Sequence, residues 1–194
     1  AAEIAAVPGV RHLAMGGVDL ARDLNAGSGN LQTLYARSHL VVASRAAGIE
    51  LVRACNRLKI MLDLSHLNER GFWDVAPLTD APLVATHSNA HAVCPHSRNL
   101  TDEQLAAIRE SRGMVGVNFA TSFIRPDGMR NDDTPLEEMI RHMDHLIEHV
   151  GVDGVGLGSD FDGATIPAEI GDVRGLPRLV EAMRRHGYDE ATLR

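Results

Sequence analysis

At 194 residues the chain has room for one large domain or two small ones. With 44% apolar and 23% charged residues it has a globular composition and enough apolar side chains for a core. Its 19 Lys+Arg against 26 Asp+Glu leave a net charge of −7, which argues against a nucleic-acid partner held by bulk charge. No run approaches the roughly 18 apolar residues that a membrane span needs. The opening Ala1-Ala2-Glu3-Ile4 has no basic region and no long apolar run, so no secretory leader is expected. Two cysteines, Cys55 and Cys94, cannot build a disulfide framework. They are expected as buried thiols of a cytoplasmic protein.

In chain order, short β-type runs alternate with amphipathic helical runs. Arg11–Gly16 reads as a strand and Leu31–Ala47 as a helix. Glu50–Leu58 reads as a helix, Lys59–Leu64 as a strand, Asn68–Thr79 as a helix and Pro82–Thr86 as a buried strand. Thr101–Ser111 is a helix opened by a Thr101/Gln104 capping box, followed by a strand over Gly113–Phe119. Thr134–Val150 is a helix with Pro135 at its first position and a second box, Thr134 with Glu137. A strand over Asp153–Gly158 and a helix over Leu176–His186, ended by Gly187, complete the pattern. Five strands alternating with helices predict an α/β fold with a parallel sheet. A complete (β/α)8 barrel typically takes about 250 residues, so the barrel form of this prediction is a partial TIM-type barrel of about five βα units. Such a sheet has open edges, which a second copy of the chain would cover by homo-oligomerisation.

In parallel sheets the chemistry gathers at the carboxyl ends of the strands. The residues there are Asp19, His66, His87, Asn118 and Asp160, all ligand-capable. A lone histidine at a strand end is as often a loop residue bonded to backbone. Two histidines and an aspartate on one rim point to metal-assisted hydrolysis, with imidazoles holding the ion and a carboxylate moving the proton. Arg98 lies near enough in sequence to fork a substrate carboxylate, although a guanidinium beside a helix start is more often plain surface. Gly154-x-Gly156-x-Gly158 lies inside a strand and is discounted as a dinucleotide loop, and Asp160-x-Asp162-Gly163 is too short for an EF-hand loop. His142, His145 and His149 share one helix and are expected as a solvated stripe. Phe72 and Trp73 are expected in the core.

From about Glu50 onward the chain resembles the membrane (renal) dipeptidase family of zinc peptidases. The matching segments are MLDLSHLNERGFWDV (61–75), APLVATHSNAHAVCPHSRNLTDEQL (81–105), GMVGVNF (113–119), GVDGVGLGSDFDGA (151–164) and LPRLVEAMRRHGY (176–188). The resemblance implies a barrel with a two-zinc site that hydrolyses dipeptides. It implies His66 and His87 as the ligands of one zinc, Arg98 as the grip on the substrate carboxylate, and Asp160 as the acid–base that protonates the leaving amine. The family's His-x-Asp pair for the other zinc has no counterpart in residues 1–49, since Leu13 and Ala14 follow His12. Its bridging glutamate and substrate-contacting histidine have none there either. One zinc rather than two is therefore expected, and an incomplete site.

Residues 1–49 resemble another family. AAEIAAVPGVRHLAMGGVDLARDLNA followed by LYARSHLVVASRAAGI is similar to the citrate lyase β-subunit and related aldolases of the HpcH/HpaI group. Those are magnesium-dependent carbon–carbon lyases, and the resemblance implies Asp19 as a metal ligand. The two resemblances meet near Gly48–Leu51 and imply a chimera of a 1–49 and a 50–194 barrel fragment, read together as one structural unit. The alternatives to a dipeptidase-type hydrolase are thus a magnesium-dependent lyase and a non-catalytic barrel fragment.

Overall fold

A computed structural model describes residues 51–193. The strand expected over Arg11–Gly16, the helix over Leu31–Ala47 and Asp19 lie outside the described residues. The chain divides into two compact units, Ala1–Ile60 and Met61–Arg194. Of the first, the described part is helix α1, Leu51–Leu58, with Ala54 and Cys55 buried. It ends where Lys59 turns left-handed at φ 55° and the Ile60 N–H reaches back to the Cys55 carbonyl at 2.9 Å.

The second unit is an α/β layer structure. Its elements are α2 (Glu69–Val75), β1 (Val84–Ala85), α3 (Asp102–Glu110), β2 (Met114–Val117), α4 (Thr121–Ile124), α5 (Leu136–Val150), β3 (Val155–Leu157) and α6 (Leu176–His186). The strands form a parallel sheet in the order β1-β2-β3, with Val84 opposite Met114 and Val115 opposite Val155. Sheet order follows chain order, as in a sheet wound in one direction and without the reversal of a doubly wound one. Of the strand expected over 59–64 only a parallel bridge between Asp63 and Val84 is present, on the side of β1 away from β2. It places Asp63 in line with the strand ends.

Two glycines set how the strand ends meet. A Cβ on Gly116 would stand 2.0 Å from the Thr86 carbonyl oxygen, and one on Gly158 would stand 1.9 Å from it. Only glycine at both positions lets the chain leaving β1 settle onto the ends of β2 and β3. This accounts physically for the last glycine of the Gly154-x-Gly156-x-Gly158 run.

The core lies between the sheet and the helices that cover it. Val115 and Val117 of β2 meet Leu105 and Ile108 of α3 and Met139 and Met143 of α5, all essentially inaccessible. Helix α3 opens with the expected capping box: the Gln104 N–H donates to Thr101 Oγ1 at 3.4 Å, and the Thr101 N–H to Gln104 Oε1 at 2.9 Å. The second expected box is absent. Pro135 itself is the N-cap of α5, and the buried Thr134 donates instead to the Asn131 carbonyl at 2.5 Å. Helix α2 stops at Val75 rather than Thr79, because Pro77 has no N–H to continue the ladder. Phe72 is buried there, whereas Trp73 is 40% exposed. Neighbouring helix positions point about 100° apart, so only one of two adjacent rings can face inward.

Candidate metal and hydrolytic site

Every carboxyl end in the sheet carries a polar side chain toward one rim. His66 follows the Asp63 bridge, His87 follows β1, Asn118 follows β2 and Asp160 follows β3. The two imidazoles meet there, with His66 Nε2 and His87 Nε2 2.9 Å apart and their rings edge-to-face at 4.9 Å. The pair comes from residues 21 apart in the chain, so the sheet, not local sequence, makes the contact.

His87 is held from behind. Thr86 Oγ1 lies 2.5 Å from Asp63 Oδ2 and 2.7 Å from His87 Nδ1. Burial raises the Asp63 pKa, but hydrogen bonds from the side chains and backbones of Ser65 and Thr86 outweigh it and bring the carboxyl down to about 2. An ionised carboxylate only accepts, so the single Thr86 hydroxyl proton goes to Asp63. The hydroxyl oxygen then accepts from His87 Nδ1–H, which leaves the Nε2 lone pair of His87 directed at His66. The Ser65 hydroxyl also donates to Asp63 Oδ1, at 2.6 Å, and accepts from the His87 N–H at 2.9 Å. Asp63, Ser65 and Thr86 thus lock the ring that one strand end presents.

The His66 pKa is lowered, first by burial and then by Arg98 and His87, against the opposing pull of Asp160 and Asp63. Its imidazole is therefore held neutral, the form that donates a lone pair to a metal. The donor set fits a divalent ion. Two nitrogens on one tetrahedral zinc, each at about 2.0–2.1 Å, stand about 3.3 Å apart, a few tenths of an ångström more than the separation here.

Arg98 borders the pair, with Nη2 3.4 Å from His66 Nε2 and its guanidinium 5.4 Å from the centre of the Phe123 ring. Its Nη1 is buried and has no hydrogen-bond partner among the described residues. An unsatisfied buried guanidinium nitrogen is costly and calls for an acceptor. Arg98 and His66 line a cleft of about 430 Å³ with Asp160, Arg130 and Phe123, a volume in the range of small-molecule sites. Asp160 adopts a left-handed backbone, φ 61°, uncommon outside glycine but tolerated by aspartate. Its Oδ2 accepts from Asn118 Nδ2 at 3.1 Å, and a Cβ on Gly163 would lie 2.4 Å from its Oδ1. Gly163 is therefore part of the close fit around the Asp160 carboxylate.

Four of the five predicted site residues, His66, His87, Arg98 and Asp160, thus come together on one rim. Asp63, Thr86 and Arg130 were not anticipated. Asp63 had a legible signal, since it stands in the same Asp-Leu-Ser-His run as His66. Thr86 and Arg130 had none. The expected solvated stripe on α5 is not what forms. His142 is completely buried, with its Nδ1 accepting from the Ala90 N–H at 3.1 Å and its Nε2 2.9 Å from the Ile124 carbonyl oxygen. His145 and His149 are half-buried beside Asp102. Positions three apart need not share one environment on a helix covered on two sides.

Residues 25–194 match the family described as membrane dipeptidase, peptidase family M19. The match begins upstream of the junction expected at Gly48–Leu51. An uncharacterized protein of the pqqA 5′ region in Klebsiella pneumoniae is 59% identical over 148 residues, covering 76% of this chain and 55% of that protein. An uncharacterized dipeptidase of Schizosaccharomyces pombe is 39% identical over 136 residues, 70% of this chain and 32% of that one. A crystal structure of a metallo peptidase from Rhodobacter sphaeroides, liganded with a phosphinate mimic of the dipeptide L-Ala-D-Ala, superposes with a TM-score of 0.74 at 70% identity. That superposition covers 76% of this chain and 42% of the other. The chain thus spans between about a third and about half of the length of these relatives.

Proposed function

The chain belongs to the membrane dipeptidase family, peptidase family M19, and from that premise we propose that it carries a metal-dependent site for dipeptide hydrolysis. The observation that carries the reading is the convergence of His66 Nε2 and His87 Nε2 to 2.9 Å at the ends of separate βα units. In this reading the sheet is a segment of a (β/α)8 barrel and its carboxyl rim is the catalytic face.

His66 and His87 hold one zinc ion, which when bound supplies Lewis acidity toward the scissile carbonyl. Asp63, through Thr86, keeps the His87 proton on Nδ1 so that Nε2 faces the ion. Arg98 receives the carboxylate of a dipeptide through Nη1, the nitrogen that has no partner among the described residues. Charge on that carboxylate also satisfies a guanidinium whose pKa is lowered by burial despite Asp160 and Asp63. Asp160, oriented by Asn118, carries the proton to the leaving amine. A cleft of about 430 Å³ is large enough to admit a substrate of two residues.

No observation favours the magnesium lyase reading. Asp19 is outside the described residues, and the family match already begins within the segment that resembles the aldolases. The test is the zinc content of the purified chain together with hydrolysis of a dipeptide panel, for the protein and for His66→Ala. Zinc bound by the protein and reduced by one equivalent in His66→Ala supports the reading. Zinc content unchanged by the substitution overturns it.

A further inference from the structure

Away from the rim, Asp102 at the first turn of α3 faces His145 and His149 on α5. The nearest ligand atoms of the three residues all lie within 4.8 Å of one another. His145 Nε2 stands 2.7 Å from Asp102 Oδ1, and His149 Nε2 stands 3.8 Å from Asp102 Oδ2. The two rings stack at 4.1 Å with 20° between their planes. We propose that Asp102, His145 and His149 form a second, peripheral site for zinc or a similar first-row divalent cation, joining α3 to α5.

Three features support this. Histidines at i and i+4 project from one helix face at the spacing by which helices hold zinc with two imidazoles. His149 Nδ1 lies 2.8 Å from the His145 carbonyl oxygen of its own helix. A carbonyl only accepts, so Nδ1 donates to it and Nε2 is the nitrogen turned toward Asp102. One ring nitrogen fixed on a backbone carbonyl while the other faces a carboxylate oxygen 3.8 Å away is the arrangement of a metal ligand held from behind. The set of two imidazoles and one carboxylate is also the borderline donor mix of zinc sites, with water able to take the fourth position because Asp102 is exposed. His145, bonded to Asp102 through Nε2 in the free protein, binds the ion by moving its proton to Nδ1.

The site is tested in the full-length chain with both rim imidazoles removed, His66→Ala/His87→Ala, stripped by chelation and titrated calorimetrically with zinc at neutral pH. One equivalent bound at micromolar zinc is expected. It should be lost when His149→Ala is added, and the rise in thermal midpoint on adding zinc should be lost with it. Circular dichroism of each variant establishes that it folds, and cobalt(II) absorption in the visible range reports a tetrahedral nitrogen–oxygen set. Zinc uptake that is absent in the rim variant, that appears only at millimolar zinc, or that survives His149→Ala overturns the proposal.

Discussion

Two groups of histidines in this chain reach similar chemistry by different routes. At the rim, His66 and His87 come from separate βα units and meet at 2.9 Å only because β1 and the Asp63 bridge lie side by side. On α5, His142, His145 and His149 are neighbours by helical periodicity alone. The rim pair exists only in the folded sheet, so whatever binds it is coupled to folding. The helical histidines are brought together locally, and their fates differ according to what packs above each. His142 is buried under Ala90 and Ile124, whereas His145 and His149 look out at Asp102. Residue type and spacing therefore identify ligand-capable groups, but the covering layer decides which are structural.

The sharpest way to break the comparison is at the rim. His87→Ala removes one of two converging donors and the end point of the Asp63–Thr86 chain. Loss of one zinc equivalent by metal analysis and loss of measurable dipeptide hydrolysis are expected, with the thermal midpoint of the zinc-free protein little changed. A fall in stability as large as the loss of zinc binding would instead make the pair structural, like His142.

The second test inverts the first. His142→Ala leaves the Ala90 N–H and the Ile124 carbonyl buried without their partners and opens a cavity. The expected cost is about 3–4 kcal/mol by denaturant unfolding, with zinc uptake per folded molecule unchanged. Burial lowers the His142 pKa to about 4; the Ile124 carbonyl opposes this and Arg141 and His145 add to it. The unfolded chain takes up this proton below the ordinary value of about 6.5, while the folded one resists down to about 4. The stabilisation is thus fully present above 6.5 and declines as the pH falls toward 4, by about 2 kcal/mol at pH 5. His142→Ala should lose that part of the pH dependence between 7 and 5. An unchanged slope would assign the acid sensitivity to other groups.

An intermediate effect is expected at the residue behind the rim. Asp63→Asn keeps the shape but removes the charge that orders Thr86 and His87. Zinc affinity should fall roughly 10- to 100-fold, the usual loss for a partner standing behind a ligand. Thr86→Val, which removes the hydroxyl between the two, should reproduce that loss, and combining both should add little. Full additivity in the double variant would mean that the two do not act in series.

Much of this was legible from the residues. Strand ends in regular βα alternation are predictable from period and turn signals, and that puts His66, His87, Asn118 and Asp160 on one edge. The Thr101/Gln104 box and the stop at Gly187 follow from local chemistry, and both form. What could not be read depends on contacts between distant segments. The Thr134/Glu137 box lost to a loop carbonyl at Asn131. Trp73 turned outward because Phe72 took the inward face. The role of Thr86 is visible only once it stands between Asp63 and His87, where its bond to Asp63 spans 23 residues.

The smallest expected effect falls on the outer histidines. The side chain of His145 is 19% exposed and that of its partner Asp102 49% exposed, so water screens the pair and competes for both groups. Exposed ion pairs contribute about 0–1 kcal/mol, and without metal His145→Ala should cost less than about 1 kcal/mol, against the several expected at His142 one turn earlier. The two variants sit on the same helix with the same residue lost, so the difference in denaturant midpoint isolates the covering layer from the helix itself. Equal losses would mean that helical propensity or the stacking of His145 on His149, rather than burial, sets the cost along α5.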